Sequence, residues 1–157
     1  MVEKSRLQKG ESPRRRRPEP TSPQVELIRS GFDAFGRLDI DAWLEYADPE
    51  IEFFPYGTAT LANEQRPYRG HDGIRAYFAD MAKVWEELDV TPHAFSEVRN
   101  QVLVRGRIYG RAFGGVLVDA PGYWVIKFRE GRVISAAAFS AEDKAVEAFA
   151  ESIKVAT

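Results

Sequence analysis

The stretch QVLVRGRIYGRAFGGVLVDAPGYWVIKFREGRVISAAAFS, Gln101 to Ser140, decides the architecture. It holds three apolar-rich segments, Gln101–Phe113, Val116–Phe128 and Arg132–Ser140, parted by Gly114-Gly115 and Glu130-Gly131. Glycine tolerates the positive φ that tight hairpins require, so the segments read as successive strands of an antiparallel meander. One further strand, Val90–Val98, joins the meander through Arg99-Asn100.

Toward the N-terminus the pattern becomes helical. Ile74, Tyr77, Phe78, Met81, Val84 and Trp85 recur at helical spacing, with Asp72 as candidate cap and an end near Leu88. A polar loop precedes this helix. Before the loop, about Glu50 to Tyr56 reads as a strand with Ile51 and Phe53 on one face and Glu52, Phe54 and Tyr56 on the other. Asp39 can cap a short helix, Ile40–Ala47, that Asp48-Pro49 ends. Ser22 and Pro23 open another, whose apolar face is Val25, Ile28, Phe32 and Phe35, stopped by Gly36. Ser140 can cap a closing helix, Ala141 to about Ile153, with Val146 and Phe149 toward the sheet. Helices followed by a long meander give the α+β class. The expected form is a curved, mixed but mostly antiparallel sheet wrapped around the N-terminal helices, because long strands twist and cannot stay flat.

Composition bounds the function. With 157 residues, 44% of them hydrophobic, one well-filled core is expected. The absence of cysteine removes disulfides and thiolate chemistry. No apolar run approaches the roughly 18 residues needed to span a bilayer, so the expected location is the cytoplasm. The net charge of -2 is unevenly spread: residues 1–24 hold seven basic and three acidic side chains, +4, and the rest holds 15 basic and 21 acidic, -6. Residues 1–23 read as a disordered basic tail rich in proline and arginine, and 24–157 as the domain. The run Arg14–Arg17 is the one candidate nucleic-acid or anionic-surface contact. No aromatic side chain interleaves it, so a solvated leader is the preferred reading.

Four stretches resemble a known family: Gly36-Arg37-Leu38-Asp39-Ile40-Asp41-Ala42, Tyr46-Ala47-Asp48-Pro49-Glu50-Ile51-Glu52-Phe53, Tyr68-Arg69-Gly70-His71-Asp72-Gly73-Ile74 and Phe128-Arg129-Glu130-Gly131-Arg132-Val133. Over Val25 to Phe149 the chain is similar to the SnoaL-like, ketosteroid-isomerase-like branch of the nuclear-transport-factor-2-like superfamily. The resemblance implies a cone-shaped fold with an interior pocket, and a homodimer formed through the sheet. Relatives include isomerases, cyclases, epoxide hydrolases, dehydratases and non-catalytic modules, and fold does not fix function. Ketosteroid isomerases use an aspartate base with a tyrosine and a protonated aspartate as oxyanion hole. The matching positions here hold Phe54, a residue near Gly31, and Trp124, so that reaction is not expected.

The remaining chemistry must come from polar side chains that face the interior. The expected register turns Glu52 and Tyr56 inward with Phe54, and Arg105, Arg107, Tyr109 and Arg111 inward with Trp124; the competing set is Val102, Val104 and Ile108. A buried arginine needs an acidic partner, for which Glu52 and Asp119 are available. The catalytic candidates are therefore Glu52 or Asp119, as base or to orient a water, with Arg107 and Tyr56 or Tyr109 stabilising developing negative charge. The competing reading places these charges on a solvated or subunit-facing sheet surface. Candidate ligand contacts are Phe35, Trp43, Phe54, Tyr77, Trp85, Tyr109, Trp124 and Phe139. His71 and His93 read as exposed. No metal-ligand spacing and no phosphate-cradling glycine loop occurs, so neither metal nor cofactor is expected. The expected partner is a small hydrophobic molecule, held as ligand or as the substrate of an isomerase, hydrolase or dehydratase. The alternative is a non-catalytic ligand-binding or dimerisation module.

Overall fold

Ser22 and Asp39 open the first two helices as their residue types predict. The computed structural model describes residues 21–55 and 67–156. Helix α1 is Pro23–Gly36, where the Ser22 hydroxyl accepts the Val25 N–H at 3.1 Å. Helix α2 is Ile40–Tyr46, with the Asp39 carboxylate accepting from Ala42 at 3.1 Å. Each bond satisfies one of the amide groups that a helix start leaves without an intrahelical partner. The Arg14–Arg17 run and Tyr56 lie outside the described residues.

Strand β1, Ala47–Phe54, begins three residues earlier than the pattern suggests, and it contains Asp48-Pro49. Its pairing with β6 is irregular between Ala47 and Glu52, which is how a strand accommodates a proline that cannot donate to the ladder. A two-residue strand, β2 (Tyr68–Arg69), follows, and the sequence gives no warning of it. Helix α3, Gly70–Val84, starts at Gly70 and has no side-chain cap; Asp72 lies in its first turn. Gly70 has φ 70° and its Cα faces the Pro49 carbonyl closely, so a glycine stands where the chain turns into α3.

The chain passes directly from α3 into β3, Trp85–Val98, so the strand starts five residues before the expected Val90. The meander continues as β4 (Gln101–Ala112), β5 (Leu117–Arg129) and β6 (Arg132–Phe139), and closes with α4 (Glu142–Ala156). The sheet order is β2-β1-β6-β5-β4-β3, with all neighbours antiparallel except β1 and β6. The sheet is curved and unclosed, in keeping with the expected α+β class.

Two buried clusters fill the concave side. One joins Phe35 and Leu44 to Ile51, Ile74, Tyr77, Phe78 and Met81; the other joins Ile28 to Val102, Val104, Ile108, Trp124, Ile126 and Phe128. Helices α1 to α3 thus occupy the inside of the curve. Helix α4 does not join them: Ala145 packs against Leu103 and Val125 on the outer face, with Phe139 and Phe149 beside it. Alanine at the contact lets the α4 backbone approach the sheet closely, whereas Val146, expected toward the sheet, is 40% exposed.

At the base of the sheet the buried Asp48 carboxylate accepts the Glu50 N–H at 2.8 Å and Arg129 at 2.9 Å, and Arg129 also reaches Glu50 at 3.0 Å. The backbone donor at Glu50 first, and the Arg129 guanidinium second, hold the Asp48 carboxyl below its usual value. A lowered pKa means the folded form releases this proton more readily than the unfolded chain. Its stabilisation is therefore complete above pH 3.8 and is lost as pH falls through the lowered value. Asp48→Asn should lower the melting temperature at neutral pH, and the gap to wild type should narrow in acid. Melting curves from pH 7 to pH 2 check this, and a gap constant across that series would refute it.

Candidate functional site

Alternation along the strands determines what enters the concave side. Directly opposed residues in an antiparallel pair share a face. Val104 opposes Trp124, and Ile126 opposes Ala136, so these side chains turn inward together. Phe53 takes the corresponding inward position on β1 beside Ala136. They line a partly open cavity of about 100 Å³ between the sheet and helices α1 to α3.

Seven aromatic residues line it: Phe32, Phe35, Trp43, Tyr46, Phe53, Tyr77 and Trp124. Their rings support one another edge to face, with Phe53 and Tyr77 centroids 4.8 Å apart, Phe32 and Trp124 5.1 Å apart, and Trp43 and Phe53 5.5 Å apart. Such contacts orient the rings beyond what area burial alone supplies. Ile28, Leu88, Val90, Ile108, Ile126 and Val133 complete much of the remaining wall. Among the described residues no Asp, Glu, His, Lys or Arg lines the cavity. The only side-chain polar groups that these lining residues carry are the hydroxyls of Tyr46 and Tyr77 and the indole N–H groups of Trp43 and Trp124.

Four of the expected ligand contacts, Phe35, Trp43, Tyr77 and Trp124, meet at this cavity. The other four do not. Phe54 is 40% exposed because Phe53 holds the inward position beside it. Trp85 is buried in the neighbouring core, against Gly110. Tyr109 opposes Asp119 and Asp89 on the outer face, and Phe139 lies under α4.

The expected inward charges are likewise on the convex side. Arg107 donates to Asp119 at 3.0 Å, with both side chains more than half exposed. Arg105 reaches Glu142 at 2.7 Å, and Arg111 reaches Glu86 at 3.3 Å. Glu52 accepts from Arg69 of β2. Glu52 and Arg107 stand on strands separated by β6 and β5, and Glu52 is level with Gln101, six residues along β4 from Arg107, so the two form no joint constellation. The competing inward set, Val102, Val104 and Ile108, is the one observed. An arginine does find its acidic partner in Asp119, but in water. His71 is half-buried and bonds the Ala47 carbonyl at 3.0 Å, a bond that ties α3 to β1; His93 is exposed.

Phe32, Tyr46, Phe53, Leu88 and Val90 also line the wall, although they are not among the expected contacts. Phe53 was legible, since it alternates with Ile51, whereas Tyr46, Leu88 and Val90 depend on where α2 ends and β3 begins. Among the described residues no group of three or more His, Asp or Glu side chains could hold a metal, and no helix is long and apolar enough to cross a membrane.

A curved sheet folded over three helices is the fold of the nuclear-transport-factor-2-like class. Within that class the chain belongs to the SnoaL-like domain family, whose sequence profile matches residues 28–136. It is similar in structure to an NTF2-like protein of unknown function from Burkholderia pseudomallei K96243, with 20% identity, a TM-score of 0.69, and coverage of 81% of this chain and 97% of that one. It is also similar to TerC co-crystallised with polyporic acid, at 22% identity, a TM-score of 0.68 and coverage of 80% and 97%. A third similar structure is RV0760c of Mycobacterium tuberculosis in complex with estradiol-17beta-hemisuccinate, at 15% identity, a TM-score of 0.63 and coverage of 78% and 97%. At these identities the likeness establishes the fold alone. No curated protein matches the sequence.

Proposed function

We propose that this chain is a binding domain for an uncharged, hydrophobic small molecule held in the cavity between the sheet and α1 to α3. The observation that carries the reading is the wall itself: seven aromatic side chains, and no ionised group among the described lining residues. An ionic ligand would lose its hydration there without gaining a partner of opposite charge, whereas an apolar one gains contact on every side. The similar structures holding polyporic acid and an estradiol hemisuccinate support a cavity of this class as a small-molecule site.

Binding without turnover is the stronger form of the proposal. General acid-base chemistry needs a group that can take up a proton near neutral pH, and the described wall offers only hydroxyl and indole N–H donors. These can orient a carbonyl or hydroxyl but are poor bases.

A thermal-shift series with hydrophobic hydroxy, keto and epoxide compounds tests this. A compound present at a hundred times its dissociation constant should stabilise the fold by about 2.7 kcal/mol. Ala136→Phe, which would fill the cavity from β6, should abolish the shift. If no compound raises the wild-type melting temperature, or if Ala136→Phe keeps the full shift, the cavity is not the site. Conversion of a keto or epoxide compound by the purified protein would overturn binding without turnover.

A further inference from the structure

The floor of the cavity is made by two strands whose inner positions alternate glycine with large apolar residues. Gly106 opposes Gly122, with Ile108 following on β4 and Trp124 on β5. Neither glycine projects a side chain, and the space above Gly122 is occupied by its neighbours. A Cβ placed there would lie 2.7 Å from both the Cγ1 and Cδ1 atoms of Ile108 and 2.9 Å from the Trp124 ring. Ile108 and Trp124 therefore lean together over Gly122. The Trp124 ring is held from the other side by the edge of Phe32, at 89° to it, and is only 8% exposed.

The space left is small. About 100 Å³ is below the roughly 150 Å³ of an engineered apolar cavity that takes up benzene, and well below the roughly 300–1,000 Å³ of sites for drug-sized ligands. A small aromatic enters with little side-chain adjustment, whereas a fused three- or four-ring skeleton would have to displace wall side chains, Ile108 and Trp124 among them, or project through the open side. We propose that Ile108 and Trp124, seated over Gly122, act as a size gate that restricts the ligand to a small uncharged aromatic of phenol or indole scale, a single ring or a fused five- and six-membered pair. This inference rests on the binding function proposed above and adds the ligand class and the residues that set it. Trp124 occupies the position where the resemblance to ketosteroid isomerases puts an acid, so a bulky ring limits size where those enzymes have a polar group.

The test uses the full chain with four probes: phenol, indole, 1-naphthol and 17β-estradiol, measured by calorimetry and thermal shift. Wild type should bind phenol and indole and bind estradiol at least about tenfold more weakly than indole, since misfit contacts in an apolar pocket discriminate by about 10- to 200-fold. Ile108→Ala should gain about tenfold or more for 1-naphthol, and Trp124→Leu, a milder change than alanine, should do the same. Gly122→Ala should weaken indole binding by pushing both side chains into the remaining space. Wild type binding estradiol as tightly as indole would overturn the gate and leave the binding function standing. Binding of phenol or indole with no gain for 1-naphthol in either enlarged variant would also overturn it. Binding of none of the four probes would overturn the gate, while the hydroxy, keto and epoxide series above decides the binding function separately.

Discussion

Gly106→Ala is expected to cost about 3 kcal/mol and to lower the melting temperature by roughly 10 °C. The reason lies in backbone and not in side chains. A Cβ at Gly106 would stand 2.0 Å from the Thr91 carbonyl oxygen and 3.0 Å from Pro92 Cα. A side-chain tip could rotate aside, but a strand carbonyl cannot move without its peptide plane. The closeness has its origin in the sequence of β3: Pro92 cannot donate to the ladder, and the β3–β4 register shifts between Pro92 and Ala94. Opposite such an irregularity only glycine lets the strands stay paired. Gly36→Ala is the control, since nothing lies within 4 Å of its added Cβ, and the change should be neutral or stabilising. Thermal melts of the two variants decide the matter: a Gly106→Ala protein melting within a few degrees of wild type would show that β3 can yield.

That glycine also marks how far the sequence could be read. The strands of the meander were legible because glycine pairs punctuate apolar runs, and the first two helices because serine and aspartate stand at their starts. Register was not. A two-residue turn at Gly114-Gly115 would oppose Phe113 to Val116 and, counting along the strands, Arg105 to Trp124. The observed turn is longer: the Ala112 N–H donates to the Val116 carbonyl at 2.8 Å, Arg111 opposes Leu117, and Val104 opposes Trp124. One residue in the turn thus moves Arg105, Arg107, Tyr109 and Arg111 to the convex face, and the expected arginine site with them. A physical signal for the right answer was present. Val102, Val104 and Ile108 are apolar at alternate positions, and burying three arginines would have cost far more than exposing them.

Phe53 and Phe54 present the opposite difficulty. Taken alone, either ring could fill the cavity. Ile51, fully buried two positions earlier, decides between them: Phe53 shares its inward face, and Glu52 and Phe54 turn outward, where Glu52 meets Arg69 of the two-residue strand. The consequence for function is direct. Once Glu52, Arg107 and Asp119 are outside, the cavity keeps its aromatic wall and loses every ionised candidate the structure describes. The aromatic half of the site was therefore readable from composition and helical spacing, while the polar half depended on pairings that no local pattern encodes.

Trp85 and Gly110 should prove strongly coupled in a double-mutant cycle. The Trp85 ring is 5% exposed and lies across Gly110, where an added Cβ would come within 2.5 Å of Cζ3 and 2.9 Å of Cε3. Trp85→Ala removes a buried ring and should cost about 3–5 kcal/mol. Gly110→Ala forces the same ring out of its seat and should cost about 2–3 kcal/mol. In the double variant the new methyl enters space the ring has left, so the combined cost should fall short of the sum by at least ~1 kcal/mol. Denaturant unfolding of the four proteins measures the difference, and additivity within about 0.5 kcal/mol would show that the ring and Gly110 do not compete for one space. The cycle bears on the cavity as well as the core. Trp85 is the first residue of β3, and Leu88 and Val90, three and five positions along, form part of the cavity wall. The seat of Trp85 on Gly110 therefore fixes where β3 starts, and with it which β3 side chains the ligand meets. Trp85→Ala should weaken phenol and indole binding although Trp85 does not line the cavity, whereas a change at exposed Phe113 should leave that binding unaltered.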